Sequence, residues 1–149
     1  MGIAPGAGEI DKIWPLNKFI EVGKYFEKNS FKIVFFLGPQ EESMREILRY
    51  NFPEAIYPEE KIIEFSNIEV SMASTKFLSC ALANDSGISH ILSTKYCPLI
   101  KLFGNKDPNK FTPLNEKLVT ICANNFGSND VSQIPSYFVI DKRVITYIH

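Results

Sequence analysis

Phe77-Leu78-Ser79-Cys80-Ala81-Leu82-Ala83 runs directly into Asn84-Asp85-Ser86-Gly87-Ile88-Ser89-His90. An apolar run of strand length meets a tight polar turn, and Ile88, Ile91 and Leu92 then recur at helical spacing. The layout predicts strand, turn, helix. It sets a carboxylate, a hydroxyl, a bare backbone and an imidazole at the carboxyl end of a buried strand, where open α/β sheets bind ligands.

The same alternation extends both ways. Upstream, Gly2 to Ala4 reads as a strand stub, followed by the loop Pro5-Gly6-Ala7-Gly8 and a helix from Trp14 to Lys28 with Pro15 in its first turn. Phe31 to Leu37 is a continuous apolar run, the kind buried on both faces of a parallel sheet. Gly38-Pro39 ends it, and Glu41 to Tyr50 carries Met44, Ile47 and Leu48 on one helical face. Residues 51–67 are ambiguous, with Ala55-Ile56-Tyr57 and Ile62-Ile63-Glu64-Phe65 as two short strand candidates. Ile68 to Lys76 reads as a short helix and Ser86 to Lys95 as another. Downstream, Pro98 to Phe103 reads as a strand ended by Gly104, 105–115 as a polar loop, and Leu118 to Cys122 as an edge strand. A helical tail broken at Pro135 follows the Asn- and Gly-rich stretch 123–130. Alternating strands and helices predict an α/β fold with a doubly wound, mostly parallel Rossmann-like sheet.

The chain has 149 residues, so one domain, 1–149, is the expectation. Hydrophobic residues at 45% and aromatics at 13% are globular composition. The net charge of -1, with scattered Lys and Arg, leaves no basic face for nucleic acid. No apolar run approaches a membrane span. Cys80, Cys97 and Cys122 have no metal-type spacing and read as buried thiols in a reducing compartment. The entry from Met1 straight into a strand stub suggests a chain that begins inside a larger architecture.

Two loops should face each other at the carboxyl edge. In the first, Gly6 and Gly8 let backbone N–H groups approach a ligand, and Lys12 adds a positive charge just before a helix. That suits a phosphate or pyrophosphate, although a glycine turn with a lysine nearby is also simply a turn. In the second, Ser86 and Gly87 open a helix and offer amides to an anion, or Ser86 is only its N-cap. His90, one turn on, can donate to a phosphate oxygen or serve the core. Asp85 can orient amides or accept from a sugar hydroxyl. Glu41 follows the second strand, where such sheets bind ribose, or it complements a helix dipole. There is no triad, no His/Cys metal cluster and no GxxxxGK[ST] loop.

Together these segments resemble glycosyltransferase family 9, the heptosyltransferases, and specifically the carboxyl-terminal half. The resemblance rests on Pro5-Gly6-Ala7, Lys12-Ile13-Trp14-Pro15, Gly38-Pro39-Gln40-Glu41, Asn84 to His90, and Leu102-Phe103-Gly104-Asn105-Lys106-Asp107-Pro108 with Pro113. It covers about residues 2–122. It implies one half of a GT-B enzyme, binding an ADP-sugar donor and transferring heptose or a related sugar, with inversion, to a lipopolysaccharide-type glycolipid acceptor. It implies donor contacts from Gly6, Ala7, Gly8, Lys12, Glu41, Asp85, Ser86, Gly87 and His90, with Lys12 and His90 stabilising the leaving diphosphate. No cofactor and no metal are implied, nor any catalytic base in this chain: base and acceptor site belong to an amino-terminal domain, so the isolated chain is expected to be inactive. The implied setting is cytoplasmic, peripheral to the inner membrane. An exposed cleft face would favour self-association. The alternative is a non-catalytic nucleotide-binding or structural domain.

Overall fold

The computed structural model describes residues 1–93, 97–104 and 117–141. Within them the strands are β1 (Gly2–Ala4), β2 (Val34–Phe35), β3 (Ala81–Asn84), β4 (Leu99–Phe103) and β5 (Leu118–Cys122). They form one sheet in the order β2-β1-β3-β4-β5, and every pair is parallel. The helices are α1 (Leu16–Lys28), α2 (Glu42–Asn51), α3 (Pro58–Lys61), α4 (Asn67–Ser74), α5 (Gly87–Leu92) and α6 (Ser136–Ile140), with short 3-10 turns between them. This is the expected α/β architecture with a parallel sheet.

Side-chain alternation sorts the strands onto two faces. Ile3, Leu82, Ile100 and Ile121 point to one face, where α1 covers them with Phe19, Val22 and Phe26, and Ile134 and Val139 complete the cluster. Ala4, Ala81, Ala83 and Leu99 point to the other, under Phe36, Leu78 and Leu92. The apolar positions of α1 recur at three- and four-residue spacing, which turns one stripe inward. Gly23 lies in that stripe because a Cβ there would meet Phe52 Cζ at 2.7 Å. The helix closes with two backbone bonds, Ser30 N–H to Glu27 O and Phe31 N–H to Phe26 O, both 3.0 Å, and the Phe26 and Phe31 rings pack edge-on at 5.1 Å.

Several boundaries differ from expectation. The second strand is two residues long rather than Phe31 to Leu37, because Phe31 is consumed in capping α1 and Ile56 supplies a single parallel bridge at the edge. Ile62 to Phe65 forms no strand, and Ile63 and Phe65 are exposed. The third strand starts at Ala81, not Phe77, because pairing with β4 begins at Leu99; Phe77 ends a 3-10 turn and lies exposed. Ile47 is half exposed on α2, whereas Leu48 is buried. Cys80 and Cys97 are buried thiols, but Cys122 is only half-buried. Residues 105–116, including Asp107, Pro108 and Pro113, lie outside the described residues, as does the tail beyond 141. No described helix is long and apolar enough to cross a membrane.

Candidate functional site

Asn84 ends β3 beside the end of β1, and it is fully buried. Its Nδ2 donates to the Pro5 carbonyl at 2.8 Å and reaches the Gly6 carbonyl at 3.4 Å. Its Oδ1 accepts from the Trp14 backbone N–H at 3.0 Å. A buried amide must find such partners. Here they lie on both sides of the 5–13 loop, so one side chain pins the loop after β1 to the turn after β3. Sequence reading treats Asn84 only as part of a motif; the polar residue closing an apolar strand was the available signal.

The two pinned loops border a cleft of about 420 Å³ at the carboxyl edge of the sheet. Gly6, Ala7 and Gly8 line it from the first loop, Ser86 and Gly87 from the second, and Gly38 and Glu41 from the turn after β2. Six expected site residues, Gly6, Ala7, Gly8, Glu41, Ser86 and Gly87, thus share one hollow with apolar walls from Phe36, Leu37, Ile68 and Ile91. Glu41 folds back so that its Oε2 accepts from the Gly38 N–H at 2.7 Å. A Cβ on Gly6 would stand 2.3 Å from Glu41 Oε1, so a bare backbone is what lets the first loop lie against this carboxylate.

Three expected residues are not in the cleft lining. Asp85 points to Lys101, with Oδ1 2.9 Å from Nζ, and Lys101 is completely buried in β4. Lys101 shares a face with Ala83, whose small side chain leaves room for the long stem, and its ammonium also sits 4.9 Å from the Phe103 ring centre. Sequence reading missed Lys101, although a lysine inside the apolar run Leu99-Ile100-Lys101-Leu102-Phe103 signals a buried partner. Lys12 lies in a 3-10 turn after the first loop, its Nζ 2.7 Å from Glu9 Oε1. His90 is exposed on α5. Ser86 takes the N-cap position of α5 without a side-chain capping bond; its Oγ donates to Asn84 O at 3.4 Å.

Across the cleft, Glu59 reaches in from α3, with Asn67 and Ser71 of α4 beside it. The Glu59 side chain is only 10% exposed, and Oε1 lies 3.5 Å from Arg45 Nη1. That distance makes an ion pair but not a hydrogen bond, and Oε1 has none. Burial pushes the Glu59 carboxyl above its usual range. Arg45 is held more closely by Glu42 and Glu60, and Glu60 also binds Arg49 at 2.6 Å. Among the described residues, no group of three or more His, Cys, Asp and Glu side chains is placed to hold a metal ion.

A parallel sheet with a cleft over its carboxyl edge is a Rossmann-like arrangement. Residues 1–136 match the model of glycosyltransferase family 9 (heptosyltransferase), and the chain belongs to that family. It is 25% identical over 126 residues to lipooligosaccharide heptosyltransferase 2 of Haemophilus influenzae, covering 81% of this chain and 36% of that protein. The family 9 glycosyl transferase of Veillonella parvula superimposes with a TM-score of 0.77 at 21% identity, over 99% of this chain and 45% of the other. Escherichia coli heptosyltransferase WaaC, solved with ADP, gives 0.80 at 19% identity, over 99% of this chain and 44% of the other. The chain therefore spans less than half the length of the proteins it matches.

Proposed function

We propose that this chain is the carboxyl-terminal, donor-binding half of an inverting glycosyltransferase that uses an ADP-sugar, with heptose or a related sugar transferred to a lipopolysaccharide-type acceptor. The observation that carries this reading is the cleft itself, in which the loops after β1, β2 and β3 converge, the first and third held together by Asn84. The diphosphate lies against the bare backbone of Gly6 to Gly8 and the Ser86-Gly87 turn, where no Cβ blocks approach. Glu41 is close enough to the first loop to accept from a ribose hydroxyl. Lys12 exchanges Glu9 for phosphate on binding; a partly exposed ion pair is worth about 1 kcal/mol or less, so the exchange costs little. Lys12 and His90 then oppose the charge that grows on the departing diphosphate. A base supplied by a partner domain deprotonates the acceptor hydroxyl, which attacks the anomeric carbon as the carbon–phosphate-oxygen bond breaks.

Calorimetric titration of the 149-residue chain with ADP tests the reading. Saturable binding that weakens in Lys12→Ala is expected; no binding by the wild type would overturn it, and an unchanged affinity in the variant would remove Lys12 from the site. The coverage of under half of each relative keeps a second reading in play, a nucleotide-binding module without catalysis. Transfer assays with and without an added amino-terminal domain separate the two.

A further inference from the structure

We infer that Glu59 is a base-reading residue of the nucleotide cleft, its carboxyl oxygen accepting a hydrogen bond from the exocyclic amino group of an adenine-type base. The inference rests on the nucleotide-binding reading above. Glu59 lines the cleft, its side chain is nine-tenths buried, and Oε1 is without a hydrogen bond. A buried acceptor in this state costs free energy until a donor arrives. The Arg45 guanidinium, 3.5 Å away, offsets its charge, while its Nε and Nη1 donate to Glu42 and Glu60.

The neighbourhood decides which part of a nucleotide fits there. Bare backbone at Gly6 to Gly8 and at the Ser86-Gly87 turn suits the diphosphate, which leaves the α3 side of the cleft for the base. Phe36, Leu37, Ile68 and Ile91 give the cleft apolar walls suited to the faces of a ring, and Glu59 with Asn67 gives one wall a polar edge. Burial raises the Glu59 pKa, and the residue's own backbone N–H and the nearby Arg45 guanidinium work against that rise. A hydrogen-bond acceptor built into a pocket discriminates strongly, since the wrong ligand leaves it unpaired. Replacing the 6-amino group of a purine by a 6-oxo group turns a donor into an acceptor facing Glu59.

The test is a calorimetric comparison of ADP, inosine diphosphate and pyrophosphate on the full chain and on Glu59→Gln and Glu59→Ala. The wild type is expected to bind ADP about tenfold or more tightly than inosine diphosphate. Glu59→Ala should bring the two within about threefold, chiefly by weakening ADP. Glu59→Gln, isosteric and able to donate as well as accept, should improve inosine diphosphate, and pyrophosphate should bind all three proteins alike. Equal affinity of the wild type for the two nucleotides, or equal weakening of both in a folded variant, overturns the role of Glu59 and leaves the nucleotide reading standing. If the wild type binds neither nucleotide, both readings fall. Should Glu59→Ala fail to fold, the Gln variant alone decides, through its nucleotide preference.

Discussion

Replacing Asn84 by Ala should damage stability and ligand binding together. The substitution removes a buried amide with partners at Pro5 and Trp14. Two backbone groups, the Trp14 N–H and the Pro5 carbonyl, then lose the bond that this side chain provides in the interior. An orphaned buried group costs about 1–3 kcal/mol, so the pair implies a loss of roughly 2–6 kcal/mol. For a chain of this size, each kcal/mol moves the thermal midpoint by about 2–4 °C, so a drop on the order of 10 °C is expected. Trp14 is the single tryptophan, fully buried, with its indole N–H donating to the Ile134 carbonyl at 2.9 Å. Its fluorescence therefore reports unfolding, and urea titration should show an earlier midpoint at an unchanged slope. Asn84→Asp is the informative companion. It keeps an acceptor for Trp14 but faces the Pro5 carbonyl with another oxygen, and it should be destabilised as well. A loss under about 1 kcal/mol in both variants would refute the view that Asn84 holds the loops together.

Lys101→Met should cost about 3–5 kcal/mol by stranding Asp85 without its buried partner, and Asp85→Asn added to it should restore most of that loss; denaturation curves that fail to show recovery would argue against the charge balance. Gly6→Ala should displace the Glu41 carboxylate, break its bond to Gly38 and weaken ADP binding, whereas Gly8→Ala, with nothing within 4 Å of the new Cβ, should leave thermal stability unchanged; equal melting shifts for the two would be contrary. Burial pushes the Cys80 thiol up to about 11 and the Cys97 thiol up to about 12 from an ordinary 9.0. The unfolded chain therefore releases these protons first, and stability that is complete below pH 9 is lost as pH rises toward 11, at up to about 1.4 kcal/mol per pH unit for each thiol. Denaturation midpoints at pH 7, 9 and 10.5 check this, and a Cys80→Ala, Cys97→Ala variant should flatten the profile.

The architecture was legible where burial and local geometry agree. The strand at Leu99–Phe103 and the edge strand at Leu118–Cys122 fall within a residue of expectation, and α1 and α2 start and stop within two. The misses share a cause. Apolar runs say that a segment is buried, not that it is paired. The run at Phe31 is divided between a helix cap and a two-residue strand, and Phe77 is spent on a 3-10 turn before the sheet begins. Ile62 to Phe65 reads as a strand by content but has no neighbour to pair with, so it leaves its large side chains at the surface.

The candidate site divides along the same line. Gly6, Gly8 and Gly87 were singled out at strand ends because a bare backbone lets a ligand approach, and all three border the cleft. Charge-dependent positions were not readable, because a side chain's partner across the fold is invisible in one dimension. Asp85 reads as a ligand contact, yet the lysine it pairs with lies 16 positions on, inside a strand with no other polar group. Glu59 sits in an ambiguous segment and becomes informative only once the bridge between Val34 and Ile56 carries α3 to the cleft. The arrangement has a consequence for ligand order: with Asp85 neutralised by Lys101 and Glu41 tied to Gly38, two carboxylates near the glycine loops are already occupied. On the proposed reading, a nucleotide sets its phosphates over the glycines and its base toward Glu59, whose Oε1 has no hydrogen bond.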